Sequence, residues 1–150
     1  MQIDPRGPRF AATLTTVVLA VALVTGSGWV LAAQAAVFAV GALRGIQFTP
    51  YAVLFRRFVR PRLAPPTELE DARPPRFAQS VGLGFALVGV IGAIFGWTPV
   101  FLVATGFALA AAFLNAAFGY CLGCEIYLLV RRARSTSTTT PQHRHEEIPA

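Results

Sequence analysis

The chain has no lysine: all thirteen of its basic residues are arginine. Charge of either sign is scarce, at 13% of residues against the roughly 25% usual in soluble domains. Charge is absent altogether from Phe10 to Leu43 and from Phe77 to Cys124. A soluble fold of 150 residues must cover itself with charge, and this chain cannot. That excludes a cytosolic enzyme, a nucleic-acid module and a disordered protein. The two cysteines, three positions apart, are too few for a secreted disulfide framework. There is no phosphate loop, no Ser-His-Asp set and no paired carboxylates. No charged residue falls mid-span, which argues against an ion- or proton-coupled transporter.

What is present is apolar, 55% of the chain. Each uncharged block is long enough to cross a hydrocarbon core of about 30 Å twice, at about 20 residues a pass. The first block breaks at Gly26-Ser27-Gly28 and the second at Gly96-Trp97-Thr98-Pro99, both turn signals. The expectation is all-α: four transmembrane helices as two hairpins, over residues 9–26, 28–46, 77–96 and 98–119, in one domain of residues 1–134. Trp29 and Trp97 belong at the turns, in the interface. The first two spans are short, so Arg9 and Arg44 are expected to snorkel. Arg6 and Arg9 before an apolar run, with Ala33-Gln34-Ala35 beyond it, resemble a cleaved leader. The apolar sequence continues to Leu43, so this run is expected to be retained as span 1.

Neither hairpin turn carries charge, and every arginine falls up to the first residue of span 1, from the end of span 2 to the start of span 3, or after span 4. The positive-inside rule then puts both termini and the loop 47–76 in the cytoplasm of an inner-membrane, multi-pass protein. Pro8-Arg9-Phe10-Ala11 recurs as Pro75-Arg76-Phe77-Ala78, and Trp29 recurs as Trp97. These pairs suggest a parallel internal repeat about an axis along the membrane normal; convergence of lead-in signals is the alternative.

In the central loop, Thr49-Pro50 reads as an N-cap followed by proline at N1. Tyr51, Leu54, Phe55, Phe58 and Val59 then recur at helical spacing, opposite Arg56, Arg57 and Arg60. That predicts a short cytoplasmic amphipathic helix on the membrane, with the arginines contacting lipid headgroups or a partner. Pro65-Pro66 through Pro74-Pro75 encloses Glu68, Glu70 and Asp71 and reads as a solvated linker. The Ser/Thr-rich tail 135–150 is expected to be disordered.

The chemistry lies in Gly119-Tyr120-Cys121-Leu122-Gly123-Cys124-Glu125-Ile126-Tyr127. If a helical turn starts at Cys121, the helix dipole favours its thiolate, as in Cys-x-x-Cys oxidoreductases. Positions i and i+3 share a face, within disulfide reach after modest adjustment. Gly119 and Gly123 are expected to give backbone freedom. Glu125 raises the thiol pKa, and nearby arginines offset it. Three readings compete: a redox-active or sulfur-carrying dithiol, a metal site, or two small apolar residues packing a helix end. A closed zinc site needs four ligands. His143 and His145 are the only further candidates, at a spacing that fits no usual finger. A metal site would then be one shared between two subunits rather than one within the chain, and the expectation is no metal or other cofactor. Gln34, Gln79, Thr105 and Asn115 are expected to make interhelical hydrogen bonds rather than line a solute path. Gly41-x3-Gly45 and Gly92-x3-Gly96 allow close helix contacts within the bundle or in a homo-oligomer.

With the span order, the repeated Pro-Arg-Phe-Ala and the cysteine motif together, the chain resembles a small bacterial membrane family, domain of unknown function 4395, from about Asp4 to Arg132. The resemblance rests on Arg9-Phe10-Ala11, on Arg76-Phe77-Ala78-Gln79 and, most specifically, on Gly119 to Tyr127. It implies an association with soluble thioredoxin-like or sulfurtransferase partners. The leading expectation is thus a thiol-redox or sulfur-relay accessory using Cys121 and Cys124, supported by Gly119, Gly123 and Glu125. A non-catalytic membrane scaffold comes second and a small-solute permease third.

Overall fold

The computed structural model describes residues 2–66 and 68–136. Among them are six α-helices: α1 (Arg6–Thr25), α2 (Gly28–Leu43), α3 (Pro50–Leu54), α4 (Arg73–Ile94), α5 (Thr98–Phe118) and α6 (Leu122–Thr136). A two-stranded antiparallel ribbon joins β1 (Gln2–Ile3) to β2 (Glu70–Asp71). The helices α1, α4 and α5 are long and apolar enough to cross a membrane, whereas α2 is a shorter apolar helix. The chain is an integral membrane protein, and its surface shows it. Val17, Val21, Ile91, Val103, Phe107 and Phe113 are exposed, while Thr15, Gln34 and Thr105 are buried. In water an apolar exterior of this extent would be untenable.

The helix ends explain the hairpins. Gly26, Gly96 and Gly119 each close a helix with φ between 64° and 69°, the left-handed conformation glycine adopts without strain. The following amide reaches back in each case: Ser27 N to Ala22 O, Trp97 N to Gly92 O and Tyr120 N to Leu114 O. Ser27 then caps α2, its Oγ accepting from Val30 N, and Pro99 lies in the first turn of α5.

Packing is closest between the hairpins, α2 on α4 and α1 on α5, with α4 also on α5. Small residues set the approach of α2 to α4. A methyl on Gly28 would meet Ala93, and one on Gly89 would meet Leu31. One on Gly82 would meet Phe38, and one on Gly41 would meet Gln79. So α2 runs antiparallel along α4 from one end of its apolar length to the other. The core is built on Leu19, Leu31, Phe38, Ala86 and Phe101. Gln34 bridges it, donating to Thr15 Oγ1 at 3.5 Å and accepting from the Tyr51 hydroxyl at 2.7 Å.

The two lead-in segments make matching contacts. Asp4 Oδ1 accepts from Arg6 N, and Asp71 Oδ1 from Arg73 N, both at 3.0 Å. Arg9 forks onto the carbonyls of Ala116 and Ala117, and Arg76 onto those of Ala42 and Leu43. Phe10 meets Phe55 at 5.7 Å, and Phe77 meets Tyr127 at 5.8 Å.

Several expectations are corrected. Arg9 does not simply snorkel, because the last carbonyls of α5 lie within its reach. The run 51–60 is not one α-helix. After α3 the chain is π-helical over Phe55–Val59 and 3₁₀ over Arg60–Arg62. Of the expected apolar face, Phe55 is buried against Phe10, while Leu54 and Phe58 are exposed. The acidic run is not wholly linker, since Glu70 and Asp71 pair with β1. Pro74 and Pro75 lie inside α4, in the first turn, where a missing amide hydrogen costs nothing. Gly45 and Gly96 make turns, with positive φ, rather than helix contacts.

Candidate functional site

The dithiol sits where α5 turns into α6. Gly119 ends α5, and its amide bonds Asn115 O at 3.0 Å. Two residues on, Cys121 takes the N-cap position of α6, its carbonyl accepting from Glu125 N at 3.1 Å. Ser, Thr, Asp or Asn usually stands there to accept an orphan amide. Here a cysteine stands instead, and the Cys124 thiol with the backbone amides of Cys124 and Gly123 favours its charged form. Donors of this kind favour the thiolate. The Cys121 pKa is lowered from 9.0 to about 7, chiefly by the Cys124 thiol and against the opposing effects of burial and Glu125. Cys124 is pushed up, first by its hydrogen bond to Cys121, then by burial, by the Cys121 charge and by Glu70 and Glu125. The two thiols are free and half-buried.

The supporting residues act differently from the expectation. Gly119 supplies a turn, at φ 69°. Gly123 supplies contact rather than freedom. It is buried, and a methyl there would come within 2.6 Å of both Cα and Cβ of Ala78. Gly123 and the Phe77–Tyr127 ring pair thus lock the start of α6 onto α4. Glu125 is exposed and raises both thiol pKa values, as anticipated. The amides and the Cys124 thiol lower the Cys121 pKa, so no arginine is needed for that. Arg56, Arg57 and Arg60 are exposed on the segment packed against α1. Among the described residues they are not among the groups that shift either thiol.

Sequence reasoning missed three contributors: Glu70, Ala78 and Arg9. A signal for the first two was available. Asp4-Pro5-Arg6 aligns with Asp71-Ala72-Arg73, which extends the repeated motif and ties Glu70 to the lead-in of α4. Among the described residues, no three His, Cys, Asp or Glu side chains converge to hold a metal. His143 and His145 lie outside the described residues, as does the tail from 137 on. A shallow groove of about 710 Å³ between α4 and α5 is lined by apolar residues, including Val81, Phe85, Val100 and Phe107. It offers no polar path for a solute. Gln34 and Thr105 are buried in the bundle, Gln34 in hydrogen bonds and Thr105 with no partner for its hydroxyl.

In comparison with known families, the family described as Domain of unknown function (DUF4395) matches residues 3–132. That range takes in both hairpins and the cysteine motif. No curated protein and no solved structure matches the chain.

Proposed function

The chain belongs to the DUF4395 family, and within that frame we propose that it is a thiol-redox or sulfur-relay accessory of the inner membrane. It uses Cys121 and Cys124 at the cytoplasmic face with a soluble thioredoxin-like or sulfurtransferase partner. The observation that carries this reading is the placement of two free, half-buried thiols in the first turn of α6, with Cys121 at its N-cap and its pKa lowered by the Cys124 thiol and the neighbouring amides. A packing cysteine needs no such set of donors.

The exchange runs as follows for a partner disulfide. The Cys121 thiolate attacks one partner sulfur, forming a mixed disulfide and expelling the other partner sulfur as thiolate. Once Cys121 is neutral, the largest cause of the high Cys124 pKa is gone. Cys124 then gives its proton to the leaving partner thiolate and attacks the Cys121 sulfur. The second partner sulfur is expelled as thiolate and takes a proton from water, so the partner departs as a dithiol carrying the two electrons and Cys121 and Cys124 are left joined as a disulfide. A second dithiol protein must reduce that disulfide to complete the cycle.

The wider reading is a four-span bundle with both termini inside and a parallel internal repeat. Support for the fourth span comes from α2 running along the apolar length of α4. Its 16 residues reach only about 24 Å. The Arg76 fork satisfies its last carbonyls, which makes the short span tolerable. The matched Asp–Arg, Arg–carbonyl and ring contacts of the two lead-in segments support the repeat. Anionic headgroups are the proposed partners of Arg56, Arg57 and Arg60.

The test is alkylation and trapping on the full chain in vesicles. Cys121 should be half-alkylated near pH 7, where an ordinary thiol is still protonated. Cys124→Ser should trap a mixed disulfide with a thioredoxin-like protein, and Cys121→Ser should trap much less. Equal trapping by the two variants, or an ordinary thiol profile for Cys121, would leave the non-catalytic scaffold as the better account.

A further inference from the structure

The helix α6 is strongly one-sided, and its apolar side is uncovered. Leu122, Ile126 and Leu129 recur at i, i+4 and i+7, with 37%, 45% and 61% of their surfaces exposed. Gly123 and Tyr127 face α4. At 3.6 residues per turn, Cys121, Cys124, Glu125 and Arg132 fall on the remaining side, with Leu128, 43% exposed, as an isolated apolar residue among them. We propose that α6 lies flat in the headgroup layer, with Leu122, Ile126 and Leu129 in the acyl boundary of an anionic leaflet and the dithiol turned to water.

Three observations favour lipid over a protein as the occupant of this face. The first is continuity. The helix starts four residues after α5 ends and is locked at Ala78 to the second turn of α4. Its apolar edge therefore extends the lipid-facing surface marked by Phe118 and Tyr120, both exposed. The second is the matching surface segment on the other hairpin. There Phe55 docks on Phe10 as Tyr127 docks on Phe77, and Leu54 and Phe58 are left exposed. The third is charge. Exposed Arg131, Arg132 and Arg134 follow the apolar stripe, the composition of a helix held at an anionic surface. The proposal concerns placement only and holds whether or not the thiols exchange.

Site-directed spin labelling of the full chain tests it. In a Cys121→Ser, Cys124→Ser background, single cysteines replace Glu125, Ile126, Leu129 and Arg132 in turn. Each labelled protein is reconstituted in phosphatidylethanolamine–phosphatidylglycerol vesicles. The ratio of accessibility to oxygen over accessibility to a nickel chelate should be several-fold higher at Ile126 and Leu129 than at Glu125 and Arg132. Equal ratios at all four sites would put α6 in water and overturn the proposal. Exclusion of both reagents at Ile126 and Leu129 would also overturn it, by assigning that face to a second copy. If the Ile126 or Leu129 variant fails to insert, Leu122 or Ala133 replaces it on the same stripe.

Discussion

Arg9 carries two tasks that a shorter or less branched side chain could not combine. Its fork meets the carbonyls of Ala116 and Ala117 at 3.2 and 3.1 Å. Both carbonyls lie in the last turn of α5, where helix geometry leaves them without partners and the dipole attracts a cation. The turn that delivers Cys121 begins two residues later. Arg9 is therefore a positioning residue for the thiol. Arg9→Ala should cost about 1–2 kcal/mol in thermal unfolding of the detergent-solubilised protein, for two charge-assisted bonds in a partly wet site. It should also move half-alkylation of Cys121 above pH 7, as the start of α6 loosens. Arg9→Lys, which keeps the charge but not the fork, should restore part of each. A loss of stability with the Cys121 profile unmoved would make Arg9 purely structural. The sign for the thiol itself follows from its lowered pKa. The thiolate's contribution to holding the start of α6 is complete above the ordinary thiol range and is lost as pH falls through about 7. Protection of the Gly123 and Cys124 amides, taken relative to their intrinsic exchange rates at each pH, should fall over that interval.

Among the elements, α6 is both the most consequential and the one least legible in the sequence. The hairpins could be read because Gly-Ser and Gly-Trp-Thr-Pro punctuate long uncharged runs, and Thr49-Pro50 announced α3. In α6 a cysteine stands where a capping hydroxyl or carboxylate normally signals a start, and Gly123 suggests a weak helix. Its reason for being there is tertiary, a bed on Ala78 that no local pattern reveals. The π turn after α3 escaped for a related cause: the docking of Phe55 on Phe10 fixes its phase. Glu70 was hidden because a two-residue ribbon depends on a partner 67 positions away (3 to 70). Gly123→Ala tests the packing view of α6. The added methyl would meet backbone, which cannot rotate aside, so a loss of about 1–3 kcal/mol is expected. Alkylation of Cys124 should accelerate as α6 lifts from α4. A substitution without effect on either would return Gly123 to the role of a flexible joint.

For the whole molecule, the decisive question is whether α2 crosses. If only α1, α4 and α5 crossed, the loop 47–76 would lie on the same side as the hairpin turn at Gly28. The chain after α5 would then lie opposite the N-terminus, splitting the thirteen arginines between the two faces. The packing argues otherwise. Gly28 is level with Ala93, and Gly41 with Gln79, so α2 covers nearly the depth of a helix that is long enough to cross. Arg76 holds the end of α2 at the same level where β1 meets β2 and where Arg9 holds the end of α5. On the proposed four-crossing reading, the start of α1, the central loop and the twelve described arginines share one face, as the positive-inside rule requires. Reporter fusions distinguish the cases. A fluorescent cytoplasmic reporter should be active after Pro66 and at the C-terminus, and a phosphatase active only in the periplasm should work at Gly28. Phosphatase activity at the C-terminus together with fluorescence at the N-terminus would mean three crossings, and the dithiol would then face the periplasm. In that compartment the pair would be exposed to oxidants rather than to cytoplasmic dithiols, so the same measurement fixes the class of partner available to it.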